Sequence, residues 1–187
     1  MNTLDTALAL RAIGFAIHWV KPNSKAPVDN GWSTAPMISL DKLKQTYRVG
    51  YNVGFRPGKW TVVDGKEIVV LDIDIRGGDG YAEEAYAAAS SMMGHDQYEP
   101  TVISGSGVGR HQYLALPLYS SPDKAATTLR QSDIYLLNGK KCARNVKGAK
   151  PAWLIELLST GKNVVLPPSI HPDTLKPYAW TKDGALI

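Results

Sequence analysis

Two aspartates one residue apart close the most apolar run of the chain, "EIVVLDIDIRGG", at positions 72 and 74. Strand side chains alternate, so Asp72 and Asp74 share a face and stand about 6.6 Å apart along the chain. Carboxylates that close repel, and burial among Val69, Val70, Leu71, Ile73 and Ile75 worsens the repulsion. Something positive must sit between them. Mg²⁺ commonly takes one or two carboxylates and completes its shell with water and substrate phosphates. In two-ion phosphoryl chemistry, shared carboxylates bridge ions about 3.5–4 Å apart. Nucleases, polymerases and sugar-nucleotide transferases all use such a pair, so it points to a metal and leaves the substrate open.

A second chemical stretch is "SGSGVGRHQYLAL", residues 104–116. Its G-x-G-x-G spacing differs from the dinucleotide fingerprint, and a strand-like segment follows where that motif requires a helix. A glycine turn between strands still suits phosphate, through bare backbone N–H groups such as that of Gly107. Ser104 and Ser106 add hydroxyls, and Arg110 and His111 add donors or positive charge.

The third is "WLIELLSTGKNVVLPPSIHP", residues 153–172. Glu156 lies in an otherwise apolar strand, which is costly without a partner. It is either the exposed position of an alternating strand or a third metal ligand delivered by the fold. Pro167 and Pro168 make a sharp exit that presents Ser169 and His171. Lys25 and Lys162 are further phosphate contacts to consider, although surface lysines are usually just solvated. No Walker A spacing occurs, because "GFRPGKW" is short and lacks a following Ser or Thr.

These groups need a framework. "LDTALALRAIG" reads as a helix capped by Gly14, "FAIHWVKP" as a strand, and "SLDKLKQTYR" as a short helix with Ser39 as N-cap. "YNVGFRPG" reads as strand and turn, "EIVVLDIDI" as a central buried strand, and "YAEEAYAAASSMM" as a helix. "TVISGSGVGRHQYLAL" reads as a hairpin, "PDKAATTLRQS" is a helix candidate, and "DIYLLNG" fits either element. "AWLIELLS", "KNVVLPPS" and "KPYAW" close the chain as strands. Without regular βα alternation the class is α+β.

At 187 residues the length suits one domain, with room for two lobes. No stretch approaches the roughly 18 apolar residues of a membrane span, and the N-terminus lacks a basic, cleavable leader. The single cysteine, Cys142, excludes an internal disulfide and any multi-cysteine zinc site. A cytoplasmic protein with no membrane partner is expected. The net charge of +4 is uneven: residues 121–150 carry +5, leaving −1 for the rest. Lys140, Lys141, Arg144 and Lys147 lie in that block, which points to a polyanion.

In this order, the acidic pair, the glycine turn with its histidine, and the acidic strand leading to "PPSIH" resemble one family. It is the bifunctional primase/polymerase (prim-pol) N-terminal domain of the archaeo-eukaryotic primase superfamily. The opening "KPNSKAPVDNGW" and "YNVGFRPG" are similar to segments of that family too, so the resemblance spans almost the whole chain. It implies an RRM-like antiparallel or mixed catalytic sheet packed against a second α/β lobe. It implies that Asp72, Asp74 and Glu156 hold Mg²⁺ or Mn²⁺. It implies that His111, with Ser104, Ser106, Gly107, Arg110, Ser169 and His171, meets the nucleotide. Many relatives place a serine two residues before the histidine, where Gly109 stands here, so backbone amides or Ser106 must supply that contact. Some relatives carry a zinc knob between motifs, which one cysteine cannot build; the basic segment occupies that region.

The implied activity is template-directed nucleotidyl transfer by a DNA primase/polymerase in plasmid, phage or prophage replication. The implied partners are single-stranded template, primer, and dNTP or NTP. Relatives often continue into a helical domain and a helicase, so the chain is expected to be the N-terminal part of a longer primase-helicase. Two rival readings are a metal-dependent nuclease and a non-catalytic module that binds single-stranded nucleic acid.

Overall fold

The computed structural model describes residues 1–94 and 99–181. The chain opens with helix α1 (Thr3–Ala12), strand β1 (Ile17–Val20), helix α2 (Leu40–Thr46) and strand β2 (Asn52–Phe55). The hairpin β3 (Gly58–Val63) and β4 (Lys66–Ile75) follows, and then helix α3 (Ala82–Met93). Strands β5 (Val102–Ile103), β6 (Arg110–Pro117) and β7 (Ala126–Gln131) precede a small basic sheet of β8 (Tyr135–Leu137), β9 (Lys140–Cys142) and β10 (Lys150–Pro151). Strands β11 (Trp153–Leu158), β12 (Val164–Leu166) and β13 (Ala179–Trp180) complete the order.

The largest sheet has seven strands in the order β13-β5-β6-β4-β11-β7, with β3 also paired to β4. Every pairing in it is antiparallel. β4 is central because its composition demands it: Val69, Val70, Leu71 and Ile73 are all buried, so both faces must be covered. Leu71, Ile73 and Ile75 pack with Trp153 and Ile155 on one face. There α3 offers Ala82, Ala85, Ala88 and Ala89, whose small side chains let the helix approach closely. The opposite face carries Val70 and Leu158 into a second core with Phe15, Trp19, Phe55 and Leu166. That core is shared by the three-stranded sheet β1-β2-β12 and by α1 and α2, which add Ala7, Leu10 and Leu43 to it.

Local signals explain most boundaries. Ser39 Oγ accepts from the Lys42 amide at 3.2 Å, the expected cap of α2. Gly14, at φ +114°, leaves α1 in a conformation that a side chain would resist.

One expected element is wrong. "PDKAATTLRQS" forms the strand β7 rather than a helix. Its pairing with the edge of β11, from Ala126 opposite Leu158 to Gln131 opposite Leu154, outweighs the helical lean of its alanines and leucine. The ambiguous "DIYLLNG" supplies β8.

Candidate active site

Register makes the site. On β4, Asp72 stands directly opposite His111 of β6 and Glu156 of β11, so the three occupy one row across the sheet. Alternation puts that row on the face away from α3, because the neighbouring Leu71, Ile73 and Ile155 fill the helix side. Asp74, two residues on, shares the face. Above it opens a cavity of about 520 Å³ that Asp72, Asp74, Glu156, His111, Ser104, Ser106 and His171 all help to line. Lys25, Arg76, Lys162, Asn163, Asp173 and Tyr178 join them.

The electrostatics are polarised. Asp72, a quarter exposed, has its carboxyl pushed up to about 7, first by burial and then by the Asp74 charge. Lys25, Lys162 and Arg76 pull the other way without cancelling the rise. His111 Nε2 lies 3.5 Å from Asp72 Oδ1, yet burial and Lys25 drive the imidazole down to about 4. The ring is therefore neutral at neutral pH, and its Nδ1 is buried with no hydrogen-bond partner. Burial lowers His171 as well. Tyr178 stands between the two histidines, with ring centroids 6.0 Å from His111 and 5.8 Å from His171. Burial raises its hydroxyl above the usual range, while Lys25 and Ser104 beside it pull the other way.

The glycine turn is held from two sides. Ser104 Oγ accepts from the Ser106 amide at 3.3 Å, and Ser106 Oγ accepts from the Gly109 amide at 3.0 Å. Thr174 donates to the Gly105 carbonyl at 2.7 Å, clamping the turn to the segment that carries His171. A Cβ on Gly105 would collide with the Lys176 carbonyl and the Cβ of His171, so this close approach requires glycine.

Several expected site residues are placed elsewhere. The Gly107 amide donates to Ser104 O at 2.9 Å, so with Ser106 and Gly109 it is engaged inside the turn rather than bare for phosphate. The serine hydroxyls, used there as acceptors, keep their protons to donate. Arg110 faces the helix side: it donates to Gly107 O and Gly109 O and lies over the Tyr86 ring at 5.2 Å. Ser169 is fully enclosed, accepting from the Val53 amide at 2.9 Å and donating to Val53 O at 3.1 Å, which ties the exit of β12 to β2. Lys140, Lys141, Arg144 and Lys147 lie on or beside the small basic sheet, outside the cavity. Lys25 and Lys162 both line the cavity, Lys25 with its side chain exposed and Lys162 half-buried. Tyr178 and Arg76 line it too, although no spacing in the sequence marks either one.

Among the described residues, no group of three or more His, Cys, Asp or Glu is gathered tightly enough to hold an ion. Asp74 is paired instead with Arg76, Oδ2 to Nη2 at 2.7 Å. The donor chemistry still suits a hard divalent cation. Two carboxylate side chains share one face, one of them with its carboxyl raised by burial and by the charge of the other. That is as many carboxylates as Mg²⁺ commonly takes from a protein before water and phosphate complete its shell.

The family model for the bifunctional DNA primase/polymerase N-terminal domain matches residues 7–186, nearly the whole chain. The chain belongs to the Prim-Pol family. Membership brings primase/polymerase activity in general terms, and the α+β, antiparallel architecture is compatible with it. No curated protein matches the chain. On this Prim-Pol chain, the acidic pair begins at Asp72, in the row with His111 and Glu156.

Proposed function

We propose that this Prim-Pol chain is a template-directed nucleotidyltransferase that extends or synthesises primers with dNTP or NTP, using Mg²⁺ or Mn²⁺ held at Asp72 and Asp74 beside Glu156. One observation carries the reading. The acidic residues of the sheet and two lysines, Lys25 and Lys162, line the same cavity of about 520 Å³. A negative floor with a cationic rim is the arrangement that accepts a metal-bound triphosphate, and the volume falls within the usual range for small-ligand sites.

Divalent ions bound there would ease deprotonation of the attacking 3′-hydroxyl and stabilise the leaving pyrophosphate. The chain's own groups do the rest. Lys25, Lys162, Ser104 and Ser106 donate to triphosphate oxygens. His111, neutral, donates a hydrogen bond without adding charge, and Tyr178 keeps both imidazoles in place. His171 closes the side where Thr174 clamps the glycine turn.

The basic sheet with Lys140, Lys141, Arg144 and Lys147 takes the phosphates of a single-stranded template by charge. The largest sheet, with a helix behind it and the site on its other face, supports the RRM-like arrangement, and the β1-β2-β12 layer supports a second lobe. A helicase, in the same protein or separate, fits as the partner that exposes the template.

Primer extension on a single-stranded template with Mg²⁺ or Mn²⁺ tests the proposal. Wild type should extend, and Asp72→Ala should not while still binding the template. Metal-dependent degradation of the primer without added nucleotide would replace this reading with a nuclease. Template binding without either activity would replace it with a binding module.

A further inference from the structure

Resting on the metal-dependent reading above, we propose that Arg76 is a positioning residue that exchanges partners. It holds Asp74 when no cation is bound, and moves to a substrate phosphate when a divalent ion takes that carboxylate.

Arg76 follows Asp74 by two residues on β4's extension, so the two side chains lie on the same side and meet at 2.7 Å. The pair is open: Asp74 is 46% exposed and Arg76 28%. Ion pairs this exposed are weakly held, and a divalent cation on the same carboxylate would repel the guanidinium. Arginine cannot escape by losing its proton, so it must move and find another anion. Its planar fork matches phosphate as well as carboxylate.

The backbone fixes where the freed head group can go. The Arg76 amide donates to Ala152 O at 2.8 Å, anchoring the root of the side chain at the start of β11. Nη1 lies 3.5 Å from the carbonyl of Pro151, the last residue of β10 in the basic sheet. Arg76 also lines the cavity of Lys25 and Lys162. It stands between the triphosphate cavity and the basic sheet, and the partner it would take is a phosphate oxyanion from one or the other.

The test is equilibrium binding of Mn²⁺ to the intact chain, followed by electron paramagnetic resonance, for wild type, Arg76→Ala and Arg76→Gln. Glutamine keeps most of the stem if alanine fails to fold. With Mn²⁺ alone, both variants should bind about two- to fivefold more tightly, since a competing charge is gone. With Mn²⁺ present, they should bind either inorganic triphosphate or a short single-stranded oligonucleotide about tenfold more weakly. The arm that weakens names the source of the phosphate. Unchanged or weaker Mn²⁺ binding, or wild-type affinity for both phosphates, overturns the proposal. Asp72→Asn separates the two levels: if it does not weaken Mn²⁺ binding, the metal site itself fails. If it does while Arg76→Gln changes nothing, only the exchange fails.

Discussion

His111 and Asp72 face one another across β6 and β4, Nε2 to Oδ1 at 3.5 Å, and the environment pushes their proton affinities in opposite directions. The imidazole is lowered to about 4 and the carboxyl raised to about 7. Burial drives both, because it penalises whichever form is charged. The site therefore stores an unmet demand for positive charge at Asp72, which a divalent ion would satisfy.

That demand costs stability. An aspartate whose folded pKa is raised binds more protons folded than unfolded between its ordinary 3.8 and about 7, so stability falls as pH rises through that window. Asp72→Asn should therefore melt several degrees higher than wild type at pH 8 without metal, and differ little at pH 4. Calorimetry at the two pH values checks this. Equal melting temperatures at pH 8 would mean that Asp72 carries no such penalty.

His18 acts with the opposite sign. Burial holds it near 4, with Nε2 on Asn163 Oδ1 at 2.7 Å. Below its ordinary 6.5 the unfolded chain takes a proton that the folded chain refuses, so stability falls as pH falls from 6.5 toward 4. In wild type, Asp72 partly offsets this slope. Asp72→Asn should steepen the acid loss, and His18→Gln in that background should reduce it, leaving the part that His111 and His171 contribute. Denaturant melts across pH 4–7 measure both.

Lys25→Ala and Lys162→Ala should each raise the apparent KM for nucleotide about tenfold, the scale of a lost charge-assisted hydrogen bond, with a smaller change in kcat. Steady-state extension at varied nucleotide concentration separates the two. An effect on template affinity alone would move the lysines out of the triphosphate site.

Gly105→Ala should separate the glycine turn from the His171 segment, since the added methyl meets the Lys176 carbonyl and His171 Cβ. Overpacking of this kind costs about 1–3 kcal/mol. A lower melting temperature together with weaker nucleotide binding is expected; wild-type nucleotide affinity would show that the turn does not shape the site.

Replacing Lys140, Lys141, Arg144 and Lys147 together by alanine should weaken single-stranded DNA binding for every sequence alike. The slope of log affinity against log salt should shrink by roughly 0.7 for each phosphate no longer neutralised. Nucleotide incorporation at saturating template should survive, because these residues lie outside the cavity. An unchanged salt slope would remove the basic sheet from the template path.

Much of the site is legible in the sequence because strand chemistry is local. A β-branched run ending in "DID" reads as a buried strand with two carboxylates on one face, and the glycine hairpin announces itself. The same alternation already separates Arg110 from His111: adjacent residues of a strand face opposite ways, so both could not reach one cavity. The placing of Ser169 at Val53 is not legible, because it depends on how β12 leaves its sheet. Lys25, Lys162 and Tyr178 arrive from three separate stretches of chain, and only the tertiary fold gathers them. β7 misleads because its pairing partner, β11, lies more than twenty residues further along the chain, beyond the reach of local propensity.

The most direct test is single-nucleotide incorporation onto a primed strand, with the templating base varied through all four identities. The complementary nucleotide alone should be added, with pyrophosphate released, and Asp72→Ala should lose the reaction while retaining the oligonucleotide. Addition that ignores the templating base, or an Asp72→Ala variant that still incorporates, would contradict it.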